Sequence, residues 1–447
     1  MKYVLVPRLL MKMEKTIMQR NKRGTVVKQK TLSILLLMCM ACSFFPNVKA
    51  RAENIKLPNQ TERIEAGAFE NVPISELWLP DKTSYIGSAA FANTGLTTVV
   101  IPAGVSYIAP NAFEGCPNLA AAVYRGSYAE KWCSNNNIPA LIITDLGVER
   151  HSQEEIRQFA YAHPAETNTA TAFRRRPSLT EPYSPGLISE QSMQNALNMV
   201  NQVRFIAGLN ADVVNAADRE EMLGAAALVN YLNRELSHNP RRPEVLADSV
   251  YDKLYEMAYD GASSSNLYAG MNNMANAVLG YLYDSNYSNI SRVGHRRWIL
   301  NPPMGKTTFG YCCDLSGTYR ISYSGMYAFD RSGSGRQAPV AWPAQQMPLS
   351  RFINAGTHAW SVSFDKVINM DAVNVTLIRE SDGRNWHFSS ESADGEFYVN
   401  NDWYGQRGCV IFRPSSIAIS AGDIFRVMIT DRQNKTALIY TVTFFDL

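Results

Sequence analysis

The chain holds only six histidines, at positions 151, 163, 238, 295, 358 and 387. Two of them sit in compact polar motifs. His238 follows Leu236-Ser237, and His295 follows Gly294 and precedes Arg296-Arg297-Trp298-Ile299-Leu300-Asn301-Pro302. Two neutral imidazoles on separate elements can converge on one divalent metal such as zinc if the fold brings them together. The plainer alternative is that each ring caps or hydrogen-bonds a helix end. No Ser-His-Asp order, HExxH pair or phosphate-cradling glycine loop supplies another mechanism.

The elements that must position these rings are helices. Gln191–Gly208 is apolar at helical spacing through Met193, Ala196, Leu197, Val200, Val203, Ile206 and Ala207. A second helix is expected over about Arg219–Leu236, just before His238, and a third over Met274–Asp284. A polar stretch, Ser285–Val293, then leads to His295. Thr308–Gly310 and Tyr319–Ala328 read as strands. The pattern is helix-rich α/β and not a parallel βαβ series.

Over about Leu187–Ser332 the sequence resembles the CAP (SCP-like) superfamily. The resemblance is carried by Asn201-Gln202-Val203-Arg204, Leu236-Ser237-His238, Gly261-Ala262-Ser263-Ser264-Ser265-Asn266-Leu267 and Gly294-His295-Arg296-Arg297-Trp298-Ile299-Leu300-Asn301-Pro302. It implies an α-β-α sandwich with a cleft, which in many members holds two His and two acidic residues. By motif the histidines fall on His238 and His295, and one acidic position falls on Asp284. The other departs from the pattern: where many members have Glu in a Gly-Glu-Asn motif, this chain has Ser265-Asn266. An amide is a weak zinc ligand and no general base. The departure undercuts metal-dependent hydrolysis more than it undercuts the fold. Tyr268, Tyr281, Tyr283 and Tyr287 are further candidates to line the cleft, against an ordinary core role.

At 447 residues, 46% hydrophobic and 19% charged, the chain suits two or three folded domains. That balance excludes a wholly disordered chain, a collagen and a polytopic membrane protein. Residues 1–50 carry ten Lys/Arg against one Asp/Glu, so the remainder, with 33 basic and 39 acidic side chains, is mildly acidic. Such a surface has no general attraction for nucleic acid. Thr31–Phe45 is an uncharged apolar run, too short to span a bilayer at about 20 residues but suited to a signal-peptide core. A secretory leader over 1–50 is therefore expected, with no transmembrane segment after cleavage. Of seven cysteines, Cys39 and Cys42 lie in that leader. The odd remainder, Cys116, Cys133, Cys312, Cys313 and Cys409, reads as buried thiols, with Cys116–Cys133 the one pair worth checking as a disulfide.

A 22-residue period follows. Leu57-Pro58, Leu79-Pro80 and Ile101-Pro102 recur at that spacing, as do Ile64, Ile86 and Ile108, each followed by an Ala-Phe pair at 68–69, 90–91 and 112–113. Each unit reads as a short strand, a turn and an inward Ile and Ala-Phe. No unit could bury its apolar face alone, so stacking must do it. The segment resembles the BspA-type leucine-rich repeats of bacterial surface proteins. Residues 53–145 are taken as this short solenoid, which implies either a surface presented to other proteins or a rigid spacer. Residues 146–186 read as a linker with one helix, capped by Ser152 and Glu155, and Arg174-Arg175-Arg176 as a solvated run. In 340–447, seven strands at short intervals suggest an Ig-like β-sandwich, with Ser381-Asp382-Gly383 as a hairpin turn and His358 and His387 as strand-edge polar residues.

The order of repeats, CAP domain and β-sandwich makes a multidomain chain that resembles secreted proteins of Gram-positive bacteria. Three functions are weighed. The favoured one is a secreted or surface-associated binder of an extracellular protein, a glycan, a cell-wall fragment or a lipid. The others are a metal-dependent hydrolase using His238 and His295, and a non-catalytic scaffold. The residues favour binding over catalysis.

Overall fold

The computed structural model describes residues 55–314 and 319–447. The expected leader, with Cys39 and Cys42, lies outside them. The described chain forms two compact units: one comprises the residues up to Val99 together with Val105–Leu119, the other Val100–Gly104 together with Ala120–Leu447. Among the described residues, no helix is long and apolar enough to cross a membrane.

In the first unit the 22-residue period becomes geometry. Strands Arg63–Ile64, Tyr85–Ile86 and Tyr107–Ile108 pair in parallel, with Ile64, Ile86 and Ile108 in register. All three isoleucines are buried. Phe69, Phe91 and Phe113 stack with centroids 5.3 and 5.2 Å apart. Hydrogen bonds repeat at the same interval, from Thr83 Oγ1 to the Thr61 carbonyl and from Asn93 Nδ2 to Asn71 Oδ1. On the outer strand face the Arg63 guanidinium lies 3.7 Å over the Tyr85 ring, which stacks on Tyr107.

The second unit has a helical part and a two-sheet part that share one core, running from Leu146 to Phe445. Besides Tyr128–Asn135 and Gln153–Ala162, the helices are α1 (Glu190–Ile206), α2 (Glu220–Asn233), α3 (Asp252–Ser263), α4 (Met274–Tyr283) and the short α5 (Gly294–Ile299). Strands β1 (Ser265–Ala269), β2 (Phe309–Cys312) and β3 (Tyr323–Tyr327) form an antiparallel sheet in the order β1-β3-β2. Strand alternation sends Phe309, Tyr311 and Met326 into the core with α1 and α4, while Leu267 and Cys312 pack with α2 and α3. Glycine permits the close approach of α2. A Cβ on Gly310 would lie 2.0 Å from the Leu223 carbonyl oxygen, and one on Gly261 only 2.4 Å from that of Met222.

The seven expected C-terminal strands all form: β4 (Trp360–Ser363), β5 (Val373–Arg379), β6 (Asn385–Phe388), β7 (Gly395–Asn400), β8 (Cys409–Pro414), β9 (Ile424–Asp431) and β10 (Thr436–Phe445). Gly383, at φ +71°, makes the β5–β6 hairpin turn. One sheet runs Val340–Trp342, β4, β8, β7, and the other has β6-β5-β9-β10 in order. Trp360 of the first packs edge-on against Phe425 and Phe444 of the second. The second sheet continues past β10. Thr436–Leu438 pairs in parallel with Ile142–Thr144, and that strand (Ala140–Thr144) pairs with Ala120–Val123. Residues 120–145, read with the repeats, are thus built into the second unit.

Two expectations need correction. The helix of the presumed linker forms, at Gln153–Ala162 with its capping box from Ser152 and Glu155. The stretch around it, however, is packed. Leu146 and Ile156 enter the core, and Arg174 and Arg175, exposed as expected, pair with Glu220 and Glu221 at the start of α2. The five described cysteines are free thiols, as the odd set implies, and all but the half-buried Cys116 are buried. His358 is not a strand-edge residue; it is fully buried beneath Phe352, 3.8 Å from that ring.

Arg204 of α1 is buried and donates to five carbonyls, those of Asn210, Ile299, Asn301, Pro302 and Met304, at 2.8–3.2 Å. Burial lowers its pKa to about 10, so it stays charged at neutral pH. Every guanidinium donor is used, and the chain leaving α5 is thereby fixed. Arg204→Met strands these acceptors and is expected to cost about 3–5 kcal/mol in chemical denaturation. Arg204→Lys, with three donors, should recover little of it. A lysine variant of full stability would show that the fork geometry is unimportant.

Candidate functional site

The four candidates His238, Asn266, Asp284 and His295 line one cleft of about 950 Å³ in the second unit. Their elements explain the convergence. Helix α2 ends where Arg234 turns left-handed at φ +53°, which sends the chain to His238. Asn266 lies on β1, which follows α3. Asp284 is the left-handed residue closing α4, and His295 lies in the first turn of α5.

Asp284 is almost fully buried and binds the start of α5. Oδ2 accepts from the backbone N–H of His295 at 2.9 Å and of Arg296 at 3.4 Å, and Oδ1 lies 2.9 Å from His295 Nδ1. A carboxylate only accepts, so the proton sits on Nδ1 of His295. His238 Nδ1 lies 2.9 Å from the Ala262 carbonyl oxygen and must likewise donate. Both rings are therefore oriented through Nδ1, which leaves Nε2 of each for the cleft. Asn266 is buried. Its Nδ2 donates to the His295 carbonyl at 3.0 Å, and its own carbonyl accepts from the Tyr281 hydroxyl. It acts as a brace between β1 and α5.

Tyr268, Tyr281 and Tyr283 also line the cleft; Tyr287 does not and is fully exposed. What sequence reasoning missed is the far wall, where Asp402, Trp403 and Tyr404 arrive from the loop between β7 and β8. Arg297, the neighbour of Arg296, holds that loop. It donates to Asn400 Oδ1 and to the carbonyls of Asp402 and Gln406 at 2.6–2.7 Å. Gly294 lets the Tyr404 ring close in, since a Cβ there would lie 2.8 Å from it. The only sequence signal for this wall is its run of Asp-Trp-Tyr-Gly in a loop.

Burial, with smaller contributions from His295 and Arg292, pushes the His238 pKa below its ordinary value against the opposing Ala262 hydrogen bond. The ring keeps one side open to solvent. Behind the cleft, His358 is pushed well below 6.5 by complete burial and then by Arg296. His358 Nδ1 lies 2.9 Å from the Ile353 carbonyl oxygen and Nε2 3.1 Å from that of Leu282, which also accepts from Arg296 Nε, so the neutral ring donates to one of the two carbonyls. Among the described residues, no group of three or more His, Cys, Asp or Glu is placed to hold a metal ion.

Residues 41–140 match the family model described as BspA type leucine rich repeat region, in 6 copies. The repeat region seen in the sequence is of this kind. The match stops short of the cleft. No curated protein and no solved structure matches the chain.

A histidine whose folded pKa is depressed binds its proton in the unfolded chain first. The stability it contributes is present above about pH 6.5 and is lost as pH falls below that. Unfolding free energy should therefore decline below pH 6.5, and less steeply in His358→Gln. In an NMR titration the His238 midpoint should lie below 6.5. An unchanged slope in the variant would take His358 out of this account.

Proposed function

We propose that this is a secreted or surface-associated binding protein with a CAP-like core, whose cleft takes up an extracellular ligand and whose repeats contact other proteins. One observation carries the cleft reading. Side chains from four separate elements, picked out by motif, meet in one open cavity together with a wall from the C-terminal strands. The size lies at the upper end of small-molecule pockets, about 300–1,000 Å³. Asn266 replaces the carboxylate that a general base would need, and its amide is spent on a structural bond, which argues for binding over hydrolysis. Repeats of the BspA type suggest an exposed, adhesion-type role, and the Arg63–Tyr85–Tyr107 ladder is a surface suited to protein contact. The α-β-α core, the Ig-like sandwich and the short solenoid are the architecture that fits this reading.

A second reading has one specific support. His238 and His295 each offer Nε2 while Nδ1 is engaged by an oxygen, the usual arrangement of metal-ligating imidazoles. Asp284, proposed from the motif as third ligand or acid/base, is spent on orienting His295, so a zinc hydrolase would rest on the two imidazoles. Zinc titration of the chain from Arg51 to Leu447, beside the His238→Ala/His295→Ala variant, separates the two. No stoichiometric zinc in the parent is expected. One zinc per chain that the double variant loses would overturn the binding reading in favour of the metal site.

A further inference from the structure

We propose that the cleft binds an uncharged oligosaccharide, seated on the aromatic wall of Trp298, Phe329, Trp403 and Tyr404. This rests on the binding reading above and names its ligand class.

Large aromatic side chains are normally buried, yet Phe329 is 48% and Trp403 41% exposed, and both line the cleft. They do not stand alone. The Trp298 ring lies 4.7 Å from Phe329 and 6.3 Å from Tyr404. Trp298, Phe329 and Tyr404 thus form one ring cluster, and Trp403 lines the same cleft beside Tyr404, which together make an aromatic platform. The platform is held in advance of any ligand. Arg297 lies 4.9 Å over the Tyr404 ring and grips the loop backbone, and Arg331 lies 5.0 Å over Trp403.

A pyranose matches this surface. Its flat C–H face carries partial positive charge and packs on the negative face of an aromatic ring. Its rim of hydroxyls needs donors and acceptors beside that ring, and Asn286, Ser288, Asn289 and the two imidazoles supply both. The charge balance excludes the main competitors. Among the lining residues Arg292 is the only Arg or Lys, and Asp402 offsets it. A phosphorylated or sulfated ligand would need converging cations. A lipid tail would need dry apolar walls, whereas His238, Asn266, Asp284 and His295 put polar groups in the cavity. The volume of about 950 Å³ leaves room for more than one ring, hence an oligomer.

The test is titration of the full chain with chitotetraose, cellotetraose and maltotetraose, read by calorimetry and by tryptophan fluorescence. At least one should bind and shift the emission. Trp403→Ala and Phe329→Ala should each weaken binding by roughly tenfold or more, with only a small fall in melting temperature because both side chains are outside the core. His238→Ala should weaken it less. Failure of all three sugars to bind overturns the proposal, as does binding that both aromatic variants leave intact. Capture of an unstructured peptide library by the same cleft, lost in Trp403→Ala while no sugar binds, would replace the sugar by a peptide and leave the binding reading standing.

Discussion

Arg296 is the side chain on which the second unit turns. It is wholly buried with no carboxylate in its hydrogen-bond shell. Nε donates to the Leu282 carbonyl, Nη2 to that of Tyr283, and Nη1 to the Ala359 carbonyl and Ser361 Oγ. Two of these acceptors end α4 and two begin β4, so one planar cation ties the helical part to the first β-sheet. Burial lowers its pKa to about 10, with Asp284 opposing, and it remains charged. A lysine could not serve, because one compact ammonium with three donors cannot reach four acceptors spread around the edge of a planar guanidinium.

The residues beside it extend the same logic. His295 leaves α5 towards the cleft, Arg296 towards β4 and Arg297 towards the β7–β8 loop, while Arg204 fixes the chain beyond α5 from behind. Six residues of short helix therefore set the cleft floor, the attachment of the β-sheets and the position of the aromatic wall together. The cleft is not a property of the helical part alone. Its shape depends on strands more than a hundred residues further along the chain.

Much of this was legible in the sequence where period carries the information. The 22-residue repeat shows in the recurring Ile and Ala-Phe positions and the seven C-terminal strands in their short, regular spacing, and Val373, Val375 and Leu377 of β5 are buried on one face. The four cleft residues were found because motifs name them. The missed features share a different cause. Arg204, Arg296 and Arg297 stand in motifs that give no sign of what they bind, and only tertiary structure supplies the carbonyls that bury them. His358 was misread for the same reason. Trp403 and Tyr404 lie in a loop without periodicity, so nothing local tied them to His295.

The parallel pairing of Thr436–Leu438 with Ile142–Thr144 joins segments almost three hundred residues apart. During synthesis the strand at Ala140–Thr144 emerges long before its partner and waits with one edge unpaired. Closing that gap carries a loop-entropy cost that only late contacts can repay, and an open edge is a template for pairing with other chains. The second unit is thus built to complete itself after translation has passed β10, and a nascent chain stalled before that point would expose an adhesive edge.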